Sequence, residues 1–363
     1  ESSLNRLLIL WSMVILLAFI YGFFFKHNDI RYLIGDLYKF VEIILIFCLT
    51  TFVVRSNKEV KFLLWGFFMA VLIFGAIDSL IFLKQAQLVK DTLEARVRAG
   101  AQFSSIFVLI IAICLIIYEK RRKVRIILGI LIFSFFTPFL LCFLRTGYVA
   151  LPLTLIFLLT LYFYKERGYS LRGVKKVFSL IVFMLFFIGL LNLVVTKINP
   201  TMNIIKATVI RFNSLVNPGA DSPMGVRPFE IRSIISQVLV KKPLLGNGLG
   251  GEYYSFSGFP GNYKWELKHY VHNNYFDFIV RTGIIGLIVF ILIAFKYLKD
   301  AIAFYLKSED NFYKGILLGS IGIFVASCII AFSCSIFYSP FLFMMMAMTY
   351  CVAYFEEKEN GLS

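Results

Sequence analysis

Apolar residues run through this chain in long stretches, broken at intervals by short clusters of lysine and arginine. Residues 7–25, 101–117, 126–144, 146–164 and 177–196 carry no charged side chain, and each run approaches the roughly 20 residues that a helix needs to cross a hydrocarbon core. Residues 315–355 are a further 41 residues without a charge, enough for two spans joined by a hairpin near Tyr338, Ser339 and Pro340. Weaker spans that include ionisable residues are expected at about 33–54, 61–83 and 272–295. The sum predicts an all-α polytopic membrane protein with about ten transmembrane helices. A transmembrane barrel would instead show short alternating segments.

Composition agrees: 60% of the 363 residues are hydrophobic and 17% aromatic, well above the roughly 45–50% apolar usage of soluble domains. The net charge of +16 would suggest nucleic-acid binding in a soluble protein. Here it is spread over loops, so it reports orientation rather than a nucleic-acid partner. Residues 55–61, 119–125, 165–176 and 296–314 carry three, five, five and four Lys/Arg. These loops alternate so as to share one side, the cytoplasm, and both termini join them. The segment 84–98, with four Lys/Arg against two acids, falls on the other side and fits the rule poorly. The six cysteines lie in or beside spans and read as small apolar packing residues, not as disulfide or zinc frameworks. The first apolar run is long and lacks a small-residue cleavage site, so no cleavable leader is read in it. The chain opens on Glu1, and further helices ahead of it are expected.

This topology divides the chain into helices 1–7 (residues 1–196), an outer loop subdomain (197–271), and helices 8–10 with a cytoplasmic tail (272–363). The loop is too long to be a structureless connection. Residues 213–228 hold three prolines and two glycines and read as loop. Residues 229–240 place Ile231, Ile234, Ile235, Val238 and Leu239 at helical spacing, an amphipathic helix ended by Pro243. Six aromatic residues follow between Tyr253 and Trp265. Nine Lys/Arg against four acids in 197–271 suggest an anionic ligand, and the aromatics suit sugar rings or the lipid interface.

Ionisable residues inside spans are costly and by default mark function. Glu42, Asp78, Asp277 and Arg281 are expected in the outer half or near the middle of their helices, with Asp277 and Arg281 one turn apart and able to neutralise each other. Arg145, in FLRTGYVAL, sits at an outer turn with no acidic neighbour in sequence. His269 and His272 precede the eighth span. Their spacing would let them share a metal, but a third ligand is missing and no metal is expected. An imidazole suits proton abstraction from a hydroxyl; His272, followed by Asn273 and Asn274, is the better held, and His269 reads as a loop residue. The run GNGLGG lacks the spacing of a phosphate loop and reads as a tight turn.

An outer loop with an arginine, then PLLGNGLG (243–250), HNN (272–274) and TGIIGL (282–287) resembles the O-antigen ligase and O-antigen polymerase family of bacterial membrane glycosyltransferases. FLRTGYVAL resembles a Ser-Arg-Thr-Gly-type turn of that family, with Leu144 where a serine is frequent, and RVRAGAQF (96–103) a weaker Arg-Gly motif. The resemblance spans about residues 96–290. It implies a GT-C-like fold and an inverting transferase without metal or cofactor. It also implies a site on the periplasmic face of the bacterial inner membrane, acting on glycans carried by undecaprenyl diphosphate among the membrane lipids. His272 matches the family's histidine, the group that orients or deprotonates the acceptor hydroxyl. Arg145 and Arg227 match its diphosphate-binding arginines, with Arg98 and Arg232 as lesser candidates and Asn273, Asp277 and Arg281 as supporting residues. The loop reads RPFEIRS, without the tryptophan frequent there, so the matching arginine is Arg227 or, a turn on, Arg232. The leading expectation is a polymerase extending a lipid-linked repeat unit. A ligase acting on lipid A core would use the same residues, and a transporter of the same lipid is the reading from another class.

Overall fold

The computed structural model describes residues 3–88, 92, 101–166, 171–216, 223–257 and 264–359. In chain order its elements are α1 (Ser3–Ile20), α2 (Ile30–Val53), α3 (Asn57–Ala86), α4 (Ala101–Tyr118), α5 (Arg122–Leu141), α6 (Arg145–Lys165), α7 (Leu171–Ile198) and α8 (Ile204–Val216). They continue with α9 (Pro223–Ile234), the strands β1 (Tyr253–Ser257) and β2 (Lys264–Lys268), α10 (Asn274–Lys307), α11 (Asn311–Ile330) and α12 (Pro340–Glu359). A helix overlies each expected span. Among the described residues, six stretches, Leu4–Phe25, Asn57–Ala86, Arg122–Leu141, Arg145–Lys165, Asn274–Lys307 and Asn311–Ile330, are long and apolar enough to cross a membrane. The protein is an all-α polytopic membrane protein.

Two compact units divide the chain. The first comprises Glu1–Phe52, Ser214–Asp300 and Ser327–Ala347. Its core is aromatic: Trp11 is fully buried, edge-on to Phe40 at 5.5 Å and Phe278 at 6.1 Å, and stacked on Phe343 at 6.2 Å. The loop expected over 213–228 is partly helical, because α8 reaches Val216 and α9 begins at Pro223. Proline at a helix's first position forfeits an amide that has no partner within the helix. A π turn, Ile235–Leu239, continues α9, so the amphipathic helix starts earlier than its apolar spacing alone implies. Ile234 and Val238 pack with Tyr253, Val271 and Val280.

The second unit comprises Val53–Asn213, Ala301–Ala326 and Met348–Ser363. Its helices approach closely where small residues meet larger side chains. A methyl added at Gly75 would lie 2.9 Å from Pro138 Cγ, and one at Gly319 would lie 2.7 Å from Ile111 Cγ1, the small-residue packing by which helices associate without a hydrophobic drive in lipid. A cluster of Phe82, Leu141, Phe143, Val195, Met202 and Ile204 closes the ends of α3, α5, α7 and α8. Lys165 donates to the carbonyls of Tyr305 and Leu306 at 2.6 and 3.1 Å, as cations do at helix C-termini.

The GNGLGG run is a wedge in the first unit. Gly283, inside α10, has φ 67° and ψ −168°, which breaks the helical ladder. Pro243 O accepts the amide of Ile284 at 2.8 Å, and Val280 O instead accepts Asn247 N, also at 2.8 Å. The loop thus supplies both halves of the bond that α10 gives up, the condition for irregular backbone at membrane depth. On its other side Leu249 N donates to Ala18 O at 3.1 Å, beside the π turn Tyr21–Phe25 that ends α1. Gly248, at φ 78°, lies directly against Gly22. Gly248→Ala is therefore expected to lose about 2–3 kcal/mol, because a left-handed backbone and a 2.7 Å clash with Gly22 coincide. Gly35→Ala, in open space on α2, should be neutral or gain about 0.5–1 kcal/mol. Thermal unfolding in detergent compares them, and equal midpoints would refute the wedge.

Candidate active site

His272 lies just ahead of α10, positioned by the residues that follow it. Asn273 Oδ1 accepts the amides of Tyr275 and Phe276 at 3.0 and 3.3 Å, the bonding of a helix N-cap, and its Nδ2 donates to Phe332 O. Asn274 Oδ1 accepts Phe337 N at 2.8 Å. The two asparagines fix the start of α10 against residues 331–337 and leave His272 at its mouth with 45% of its side chain exposed.

The partner of His272 is Glu230 of α9, buried to 2% exposure. His272 Nδ1 lies 3.2 Å from both Glu230 oxygens. An ionised carboxylate only accepts, so Nδ1 carries the hydrogen in either charge state of the ring, and Nε2 is the nitrogen left to take or give a proton. The Tyr253 hydroxyl of β1 lies 2.8 Å from Glu230 Oε1 and 2.9 Å from Tyr270 O. Burial pushes the Glu230 carboxyl up, but the His272 hydrogen bond and charge, the Tyr253 hydroxyl and the Lys268 ammonium outweigh it and hold the group below the usual glutamate range. Burial, then the Glu230 charge, pushes the Tyr253 phenol well up, so it stays a donor.

A second ionic group lies at the base of the hairpin. Arg281 Nη1 is 2.6 Å from Asp36 Oδ2 of α2 and donates to Gly251 O at 3.1 Å and to His269 Nδ1 at 3.1 Å. Nη2 donates to His269 O, and Nε lies 3.4 Å from Asp277 Oδ1. Asp36 also accepts Gly250 N at 2.9 Å and meets His269 Nε2 at 3.4 Å and Lys39 Nζ at 3.3 Å. The Tyr338 hydroxyl donates to Asp277 Oδ2 at 2.6 Å. His269 is thus a member of this network, stacked under Tyr32 at 4.0 Å, and not merely a loop residue. Asp277 and Arg281 do pair, but the shorter contact of Arg281 is to Asp36, which the sequence reading missed. In the GNGLGG run, the amides from Gly246 to Gly251 all donate to protein acceptors, so the run is a turn.

Arg227 and Arg232 share α9 with Glu230. At about 100° per residue, Arg227, three positions earlier, lies on the Glu230 side of the helix, and Arg232, two positions later, is turned about 200° away. Arg227 is half-buried and Arg232 exposed. Arg145 belongs to the second unit, half-buried as the first residue of α6, two residues after Phe143, whose φ is 48°. Arg98 lies outside the described residues. The sequence reading also missed the hairpin. β1 and β2 pair antiparallel with Tyr254 opposite Leu267 and Phe256 opposite Trp265, so these four side chains share one face. Phe256 and Trp265 meet edge-on at 4.6 Å. The alternation in YYSFS and KWELK was the available signal.

Removing one partner of a buried ion pair costs about 3–5 kcal/mol, so Asp36→Asn and Arg281→Gln should each destabilise strongly and the double variant by less than the sum. A double-mutant cycle on unfolding checks this; additive losses would mean that the pair is not coupled. Because the Glu230 carboxyl is held low in the folded protein, its contribution is present above the usual glutamate range and fades as pH falls through its lowered value. Glu230→Gln should therefore flatten the acid limb of the stability profile, read from unfolding midpoints against pH.

Residues 135–291, from α5 into α10, match the O-antigen ligase family; RVRAGAQF lies ahead of this segment. A candidate polysaccharide ligase of Rickettsia conorii is 33% identical over 88 residues, 22% of this chain and 21% of that protein. The match thus spans about a fifth of that relative's length. Through residues 135–291 the chain is similar to the O-antigen ligase and polymerase family, as its motifs imply.

Proposed function

We propose that this protein is a membrane glycosyltransferase that moves a glycan from undecaprenyl diphosphate to a hydroxyl of an acceptor sugar, with inversion and without metal. The observation that carries this reading is the Glu230–His272 pair: a buried carboxylate fixes Nδ1–H and leaves Nε2 as the nitrogen to take a proton. In the reaction His272 Nε2 takes the proton of the acceptor hydroxyl while its oxygen attacks C1 of the donor sugar. The bond from C1 to the diphosphate oxygen breaks, and undecaprenyl diphosphate leaves with the electron pair. Glu230 steadies the imidazolium that forms, as a carboxylate does behind other catalytic histidines.

The developing charge on the diphosphate needs fixed cations, and arginine forks bind phosphate oxygens bidentately without deprotonating. Arg145 and Arg227 take this role, with Arg232 and Arg98 as lesser candidates. The start of α6 supports Arg145, because the helix dipole and the guanidinium both favour an anion there. The exposed Tyr254, Trp265 and Leu267, with the half-buried Phe256 among them, give acceptor sugars an apolar surface. The site then opens on the periplasmic face of the inner membrane, with both termini cytoplasmic. Polymerisation of lipid-linked repeat units is the leading form; transfer to lipid A core is the second, favoured by the ligase names of the matched family and relative.

Purified protein incubated in EDTA with undecaprenyl-diphosphate repeat units, with and without lipid A core oligosaccharide, separates these readings by product. Longer lipid-linked glycans mean polymerase, glycan on the core means ligase, and movement of lipid without a new glycosidic bond would mean transporter. His272→Ala should lose about 10²- to 10⁴-fold in kcat and Glu230→Gln roughly 10- to 100-fold. Unchanged turnover of His272→Ala would overturn the base role, and a strict need for added divalent metal would overturn the arginine-based mechanism. Arg145→Lys should be severely impaired despite retained charge; wild-type turnover would remove Arg145 from the diphosphate.

A further inference from the structure

The second unit contains a cavity of about 590 Å³ where the first turns of α3, α5 and α11 meet the end of α4. Three of the lysine- and arginine-rich loops come together in its lining, through Lys61, Lys120 and Asp310. The lining cations are Lys61, Lys120 and Arg121, and the lining acids are Glu119 and Asp310. Arg121 and Glu119 satisfy each other with bonds of 2.9 and 3.1 Å. Asp310 Oδ1 accepts the amides of Phe312 and Tyr313 at 2.8 and 3.0 Å, so it caps α11. Arg121 and Glu119 cancel, and the Asp310 carboxylate is engaged at the start of α11, so the lining keeps a net positive charge, carried by Lys61 and Lys120. Lys61 Nζ sits 5.0 Å from the centre of the Phe312 ring, a contact that holds the ammonium without neutralising it.

Two further features define what fits. The wall is apolar, built from Trp65, Phe68, Leu115 and Leu128, which a free anion would not need. Asn57 also lines the cavity, and its Oδ1 has no donor among the described residues, so a turn of this amide toward the cavity would offer an acceptor to a ligand hydroxyl. We propose that this cavity binds one anionic phospholipid with a hydroxyl-bearing headgroup. Its phosphate lies on Lys61 and Lys120, the hydroxyl meets Asn57, and the acyl chain runs along Trp65 and Phe68. Basic pockets between transmembrane helices take anionic headgroups for these electrostatic reasons, and the volume is within the usual range of ligand sites.

The test uses the full chain in neutral detergent, its unfolding followed with added phosphatidylglycerol, phosphatidylcholine or sodium phosphate. Phosphatidylglycerol should raise the midpoint by about 4 °C through preferential binding to the folded state, and the other two should not. Lys61→Gln/Lys120→Gln should abolish the rise while unfolding within about 1 °C of wild type without lipid, since both side chains are exposed. Lys58→Gln/Lys123→Gln, on the same loops but outside the lining, should keep it. An equal rise with phosphatidylcholine, a rise retained in the Lys61/Lys120 variant, or a rise lost in the Lys58/Lys123 variant would overturn the site. A rise reproduced by inorganic phosphate would overturn the lipid. None of these readouts involves glycosyl transfer.

Discussion

A guanidinium taken out of water must find acceptors for its donors, and in the first unit that requirement falls on Arg281, which is 2% exposed. It is met by bringing together Asp36, Asp277, Gly251 O and the imidazole and carbonyl of His269. Gly251 lies two residues before the first strand, and His269 directly follows the second. One side chain therefore closes the hairpin at both ends. Tyr253, two residues after Gly251, reaches Glu230, and His272 is three residues after His269. The geometry of the Glu230–His272 pair descends from a buried ion pair that touches neither residue. Such pairs are weak contributors to net stability but poor at tolerating alternatives, which suits the anchoring of a precise arrangement.

Much of this arrangement is readable from the chain alone. The helices of the spans follow from uninterrupted apolar runs, because a bilayer imposes one length and one polarity on what crosses it. His272 stands out through its neighbours, since Asn273 and Asn274 belong to the cap that holds it. Glu230 does not stand out: it is one of four acids in a basic loop, and its meaning comes from His272, 42 positions away. Asp36 is hidden in the same way, because its partner lies on α10, and no local pattern encodes a pairing across most of the chain. His269 was undervalued because its partners are a backbone turn and two distant charges. The hairpin was obscured by the expectation of loop, although period-two alternation was present on both strands.

The glycines illustrate the difference between composition and position. Read as a run, GNGLGG signals a turn. In the fold, Gly246, Gly248 and Gly250 each take a left-handed conformation, and each faces a different neighbour: the carbonyls of Ile279 and Val280, the backbone of Gly22, and the backbone of Leu33. The loop is a spacer of backbone thickness between α1, α2 and α10, and any side chain would widen it.

The break in α10 has a consequence for how the protein is made. The groups that replace its lost bond, Pro243 O and Asn247 N, are both upstream of Val280 and Ile284 in the chain, and so are Ala18 and Asp36, which hold the other side of the loop. Synthesis runs from the amino end, so by the time the interrupted helix leaves the ribosome its complement has already been translated. α10 can enter the membrane against a waiting partner rather than as an isolated segment with unmatched amides.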